Sequence, residues 1–107
     1  MTATPPIDPA VLHRSWVRSV EEDTPTEIVY RPSTYPFPPS RGREGMALSP
    51  DGTLTHSSPG TTDLARHRRG KWRLEQSRLH LDIENLDPGA RVLTVVQATP
   101  DRLVLRR

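Results

Sequence analysis

The chain contains no cysteine, which excludes disulfides, a thiolate nucleophile and a zinc–thiolate site. Lysine is almost as scarce, since fourteen of the fifteen basic side chains are arginine. Arginine stays protonated far above neutral pH, so a net charge of only +2 carries the isoelectric point to about 9.7. A basic isoelectric point with that origin is no sign of a nucleic-acid partner, and none is expected. Aromatic residues number five and apolar residues make up 33% of the chain, so the core must be thin. A small sheet closed on itself suits such a core better than a layered α/β domain. No apolar run approaches the ~20 residues that span a bilayer. The opening MTATPPIDPAVLHRS lacks the charged start and apolar run of a signal peptide, so a cytoplasmic protein without a membrane partner is expected. There is no glycine-rich phosphate loop and no Gly-x-Ser-x-Gly elbow, and His13, His56, His67 and His80 lack metal-ligand spacing. Neither a metal nor a cofactor is expected.

At 107 residues the chain has room for one domain. Residues 1–9 carry Pro5, Pro6 and Pro9 and read as an extended lead-in; residues 10–107 read as the domain. Asp8 can cap a short helical turn that has Pro9 in its first position. Beyond it the pattern has period two, interrupted by turn residues every eight to twelve positions. The alternation predicts about eight short strands, at 16–21, 27–31, 45–49, 53–57, 71–75, 79–84, 91–99 and 102–106. Pro50-Asp51-Gly52, Gln76-Ser77-Arg78 and Pro100-Asp101 supply tight turns between consecutive pairs. Trp72, Leu74, Leu79, Leu81 and Ile83 share one face of the central hairpin, and charged residues share the other. Short antiparallel strands joined this way close most economically into an up-and-down barrel, which leaves no unpaired edge. The fold expected is therefore all-β, a small antiparallel barrel preceded by a helical turn. Val92, Leu93, Val95 and Val96 make one strand apolar on both faces, which suggests a homodimer contact.

A helical turn, a first strand opening with Trp16 and a last strand carrying Arg106 resemble the lipocalin (calycin) pattern. In that pattern a tryptophan of the first strand packs under an arginine from near the last, closing one end of the barrel. More closely, EED, VYRP, FPPSRGREG, PDGT, TTD and GKW, spread over about residues 12 to 107, resemble small bacterial lipocalin-like proteins of uncharacterised function. The resemblance implies the barrel and carries no activity.

The stretch Trp16 to Gly45 holds four of the five aromatics, five prolines, an acidic triplet and an Arg-Gly-Arg. Glu21, Glu22 and Asp23, at the end of the first strand, can meet Arg41 and Arg43 at one rim, because guanidinium groups bind carboxylates through paired hydrogen bonds. One outcome is a network that pins a proline-stiffened loop. The other is a ligand site in which Arg41 and Arg43 face an anion and Tyr30, Tyr35 and Phe37 form the apolar wall. The run Arg66-His67-Arg68-Arg69-Gly70-Lys71 reads as a solvated loop leading into the Trp72 strand. The function expected is a binding module for a small anionic or amphipathic molecule. An enzyme doing cyclisation or isomerisation, with Glu21, Glu22 or Asp23 as proton carrier, and a protein-interaction domain are the alternatives.

Overall fold

The computed structural model describes residues 8–39, 42–58, 66–86 and 89–107, and all of them belong to one eight-stranded, closed antiparallel barrel. The strands are β1 (Ser15–Arg18), β2 (Glu27–Pro32), β3 (Gly45–Leu48), β4 (Thr53–Ser58), β5 (Arg66–Glu75), β6 (Arg78–Ile83), β7 (Ala90–Thr99) and β8 (Arg102–Arg106). The only helical elements among the described residues are two 3-10 turns, Pro9–Leu12 and Val20–Glu22. The first forms as the sequence predicts: Asp8 Oδ1 accepts from the Ala10 amide at 3.0 Å, and Pro9 stands in the first turn.

Around the barrel the order is β1-β2-β8-β7-β6-β5-β4-β3, and β3 returns to β1. Strands β3 to β8 form the expected meander. The first hairpin enters in reversed order, so β1 lies between β2 and β3, and these two run parallel to each other. The connection from β2 to β3 must therefore travel the length of β1, from one end of the barrel to the other. Ser33 donates its amide to Ser15 O at the start of β1, and Arg18 at its end donates to Glu44 O. The prolines of this segment stiffen a strap laid along β1.

Two predicted elements differ. The first strand stops at Arg18, because the chain bends there so that the Ser19 amide can reach Val29 O at 2.8 Å. The acidic triplet thus belongs to the second 3-10 turn and its C-cap, not to a strand, and has no strand alternation. The basic run is no loop: Arg66 to Gly70 pair with β4, with His56 opposite Arg68 and Leu54 opposite Gly70. Gly70 is needed there, since a Cβ would stand 2.2 Å from Asp82 O on β6.

Directly paired residues share a face, so the register separates inside from outside. Inside lie Trp16, Tyr30, Met46, Leu48, Leu54, Trp72, Leu79, Leu81, Ile83, Val95, Leu103 and Leu105, all buried. On β7, Leu93 and Val95 turn inward, while Val92 and Val96 are 55% and 44% exposed. One end is plugged. Leu12 of the first turn is fully buried, its carbonyl accepts from Trp16 Nε1 at 3.2 Å, and Trp72 Nε1 donates to Ser49 O at 2.9 Å. The Trp16 ring lies under a guanidinium, as the lipocalin resemblance implies, but the arginine is Arg14, 5.7 Å from the ring centroid. Arg106 cannot take that place, because β8 carries it to the opposite end, beside Glu27.

Candidate functional site

The residues expected to form a site separate into two groups. Most belong to the strap. Arg31 donates to both oxygens of Glu22, at 2.8 and 2.7 Å, and lies 4.8 Å over the Tyr35 ring. Tyr35 meets Phe37 edge-on at 4.9 Å, Arg43 lies 4.7 Å over Phe37, and Arg43 closes on Glu21 at 2.7 and 2.6 Å. A continuous chain of carboxylate, guanidinium, two rings, guanidinium and carboxylate therefore begins and ends on the second 3-10 turn. Asp23 is held separately, by Arg18 through paired hydrogen bonds and by the Val29 amide at 2.9 Å. Hydrogen bonds from Arg43 and Arg31 hold the Glu21 and Glu22 carboxyls at about 2, well below the ordinary 4.5. Arg41 lies outside the described residues.

Tyr30 belongs to the second group, which faces the barrel interior at the end away from the plug. The same two-residue period that turns Trp16, Met46, Leu54 and Leu93 inward turns Arg18, Glu44, His56 and Arg91 inward. Arg68 joins them as the partner of His56. Strands β1, β4, β6 and β8 finish at this end, and β2, β3, β5 and β7 begin there. Of these residues only Tyr30 is among those the sequence points to as a site. The signal for the others was present in the alternation, but each residue sits at a strand end, where the alternation is cut off by a turn.

The geometry is specific. Tyr30 Oη donates to Glu44 Oε1 at 2.6 Å, and Arg18 Nη1 stands 3.9 Å from the same oxygen. His56 Nε2 is 3.7 Å from Glu44 Oε2, within ion-pair reach when the imidazole is protonated and too long for a hydrogen bond. His56, Tyr30 and Arg18 together hold the Glu44 carboxyl at about 2, against a burial that alone would raise it. Burial, then the Glu44 charge, pushes the Tyr30 phenol far above its usual range, so it remains a hydrogen-bond donor. His56 is 5% exposed, yet neither of its ring nitrogens has a hydrogen-bond partner. Arg68 spends Nε on Asn85 O and Nη1 on Ser58 Oγ, at 3.0 and 3.2 Å.

No family model matches this chain, and neither does any curated protein or solved structure. A groove of about 640 Å³ crosses the outside of β5, β6 and β7, between the Asp51–Thr53 turn and Val92, and none of the site residues predicted from the sequence lines it. Its charged residues Lys71, Arg73 and Asp82 are exposed; His80 and Arg91 also line it, and His80 Nε2 has no hydrogen-bond partner. Among the described residues no three His, Asp or Glu side chains converge as a metal site, and no helix is long and apolar enough to cross a membrane.

Proposed function

We propose that this protein is a binding module of lipocalin-like type that takes a small anionic or amphipathic molecule into the unplugged end of its barrel. The observation that carries this reading is His56: a buried imidazole with no hydrogen-bond partner costs free energy unless something else supplies one. Two further arginines, Arg68 and Arg91, share its face of the sheet, which gives an entering group positive charge to meet. The apolar layer of Met46, Leu54 and Ile83 beneath suits a ligand with an apolar body. Tyr30 is shared between this site and the one predicted from the sequence. Arg43, Tyr35 and Phe37 support it from outside, by fixing the strap and hence the position of Glu44. The test is titration with the amphipathic anion 8-anilinonaphthalene-1-sulfonate. Saturable 1:1 fluorescence enhancement that disappears in His56→Leu supports the reading; unchanged binding in that variant rejects it.

Acid–base catalysis is the second reading, favoured by the carboxylate of Glu44 beside an imidazole that has free nitrogens. A carboxylate that orients a histidine is a recurring arrangement in proton transfer. On this reading the proton carrier is His56, since Glu21 and Glu22, held at about 2, are too weakly basic.

A further inference from the structure

Resting on that reading, we propose that the unplugged end selects a tetrahedral dianion, a phosphate group either free or carried on a small molecule, over a carboxylate. The first argument is charge. Arg18 is paired with Asp23, and Glu44 accepts from Tyr30 with Arg18 3.9 Å away, so these charges balance one another, while His56, 3.7 Å from Glu44, makes no hydrogen bond. Arg68 and Arg91 have no carboxylate partner among the described residues. Arg91 pairs across the sheet with Leu81, a buried core residue, so it faces the interior, and its charge is felt at Tyr30. Among the described residues these two positive charges therefore have no counter-charge at this end of the barrel, where partial desolvation makes each costly. A monoanion would balance one of them, and a dianion balances both.

The second argument is direction. The unspent donors come from His56 on β4, from Nη2 of Arg68 on β5 and from Arg91 on β7. Strands β5 and β7 flank β6, so their backbones stand about 10 Å apart at the usual strand spacing. The donors therefore approach an anion from at least two sides of the mouth. A carboxylate offers two coplanar oxygens and satisfies one guanidinium fork well. A phosphate offers three oxygens pointing apart, enough for two guanidinium groups and the imidazole at once.

The experiment uses the whole protein, ¹⁵N-labelled, at constant ionic strength and about pH 8, where phosphate, with a second pKa near 6, is a dianion. Inorganic phosphate, phenyl phosphate, sulfate and benzoate are titrated, and the His56 ring resonances are followed. The expected result is that the tetrahedral dianions move these resonances and that phenyl phosphate binds at least about tenfold more tightly than benzoate. Phenyl phosphate tighter than inorganic phosphate identifies a phosphorylated small molecule; equal affinity identifies the free anion. Arg68→Gln and Arg91→Gln should each weaken phenyl phosphate by about tenfold or more, the usual scale for a lost charged hydrogen bond. Arg69→Gln removes the same charge from the outer face of β5 and should change nothing. Benzoate binding as tightly as phenyl phosphate overturns the dianion and leaves the anion site standing. Loss of affinity in Arg69→Gln equal to that in Arg68→Gln also overturns it, because the effect is then general charge attraction. No response to any of the four anions overturns the binding reading as well. Should the Arg68 or Arg91 variants fail to fold, the wild-type anion series decides alone.

Discussion

The two ends of this barrel are built from the same strands and solve opposite problems. At the plugged end both indoles that enter the core bring their partners, Trp16 Nε1 with Leu12 O and Trp72 Nε1 with Ser49 O, while Arg14 Nε and Arg102 Nε there have none. At the other end His56 is nearly as buried as Trp16, and neither of its nitrogens makes a hydrogen bond, although Nε2 lies 3.7 Å from Glu44 Oε2. The first arrangement is what stability alone favours. The second is tolerated where a further molecule completes it, and His56 differs from the other orphaned groups in being a whole buried ring with no hydrogen bond at either nitrogen.

The comparison can be broken most forcefully at the plug. Trp16→Ala should destabilise the protein by about 3–5 kcal/mol, the usual cost of deleting a fully buried large aromatic, measured by urea denaturation. A loss under half of that would mean that the first turn, not the ring, closes the barrel. At the open end Tyr30→Phe leaves the Glu44 carboxylate without its shortest hydrogen bond, and a loss of about 2 kcal/mol is expected. His56→Leu has two opposing effects. It removes a buried ring without hydrogen bonds but also a contact that holds Glu44, so stability should change by no more than about 1 kcal/mol while anion binding disappears. A marked loss of stability there would show that His56 is structural.

Acid titration sharpens the same contrast. The Glu44 carboxyl is lowered on folding from 4.5 to about 2, so the stability it contributes is fully present above pH 4.5 and is lost as the pH falls towards 2. Glu21 and Glu22 share that window. Glu21 is exposed, so high salt should remove its share, while the partly buried Glu44 keeps its own. In 1 M salt, Glu44→Gln should therefore flatten the pH dependence and Glu21→Gln should leave it as it was. At neutral pH Glu21→Gln is the smallest effect expected, with no resolvable change in denaturation midpoint, because exposed ion pairs contribute little.

Much of the fold was legible. The cap at Asp8, the three tight turns and the alternation along 71–75 and 79–84 are local facts, and they imply strands, hairpins and a buried face without any long-range information. The strap's composition was legible too: arginines, carboxylates and aromatics crowded between Trp16 and Gly45 do lock together. Its path was not, because nothing local reveals that β1 inserts between β2 and β3 or that the strap must cross it. The acidic triplet was misplaced for a similar reason. Its three carboxylates are drawn to Arg18, Arg31 and Arg43, and those contacts end the strand that alternation alone would continue.

The sequence by itself determined that the chain is all-β, that its core is thin, and which side chains alternate along each strand, because these follow from composition and from the two-residue period of an extended backbone. Only the tertiary structure decided which end of the barrel is sealed and which arginines face inward together. Arg18, Glu44, His56, Arg68 and Arg91 are scattered over 74 positions, and five separate strand registers must close around the barrel before they share one end. Ring closure is a global constraint, and the site exists only where it brings the strand ends together.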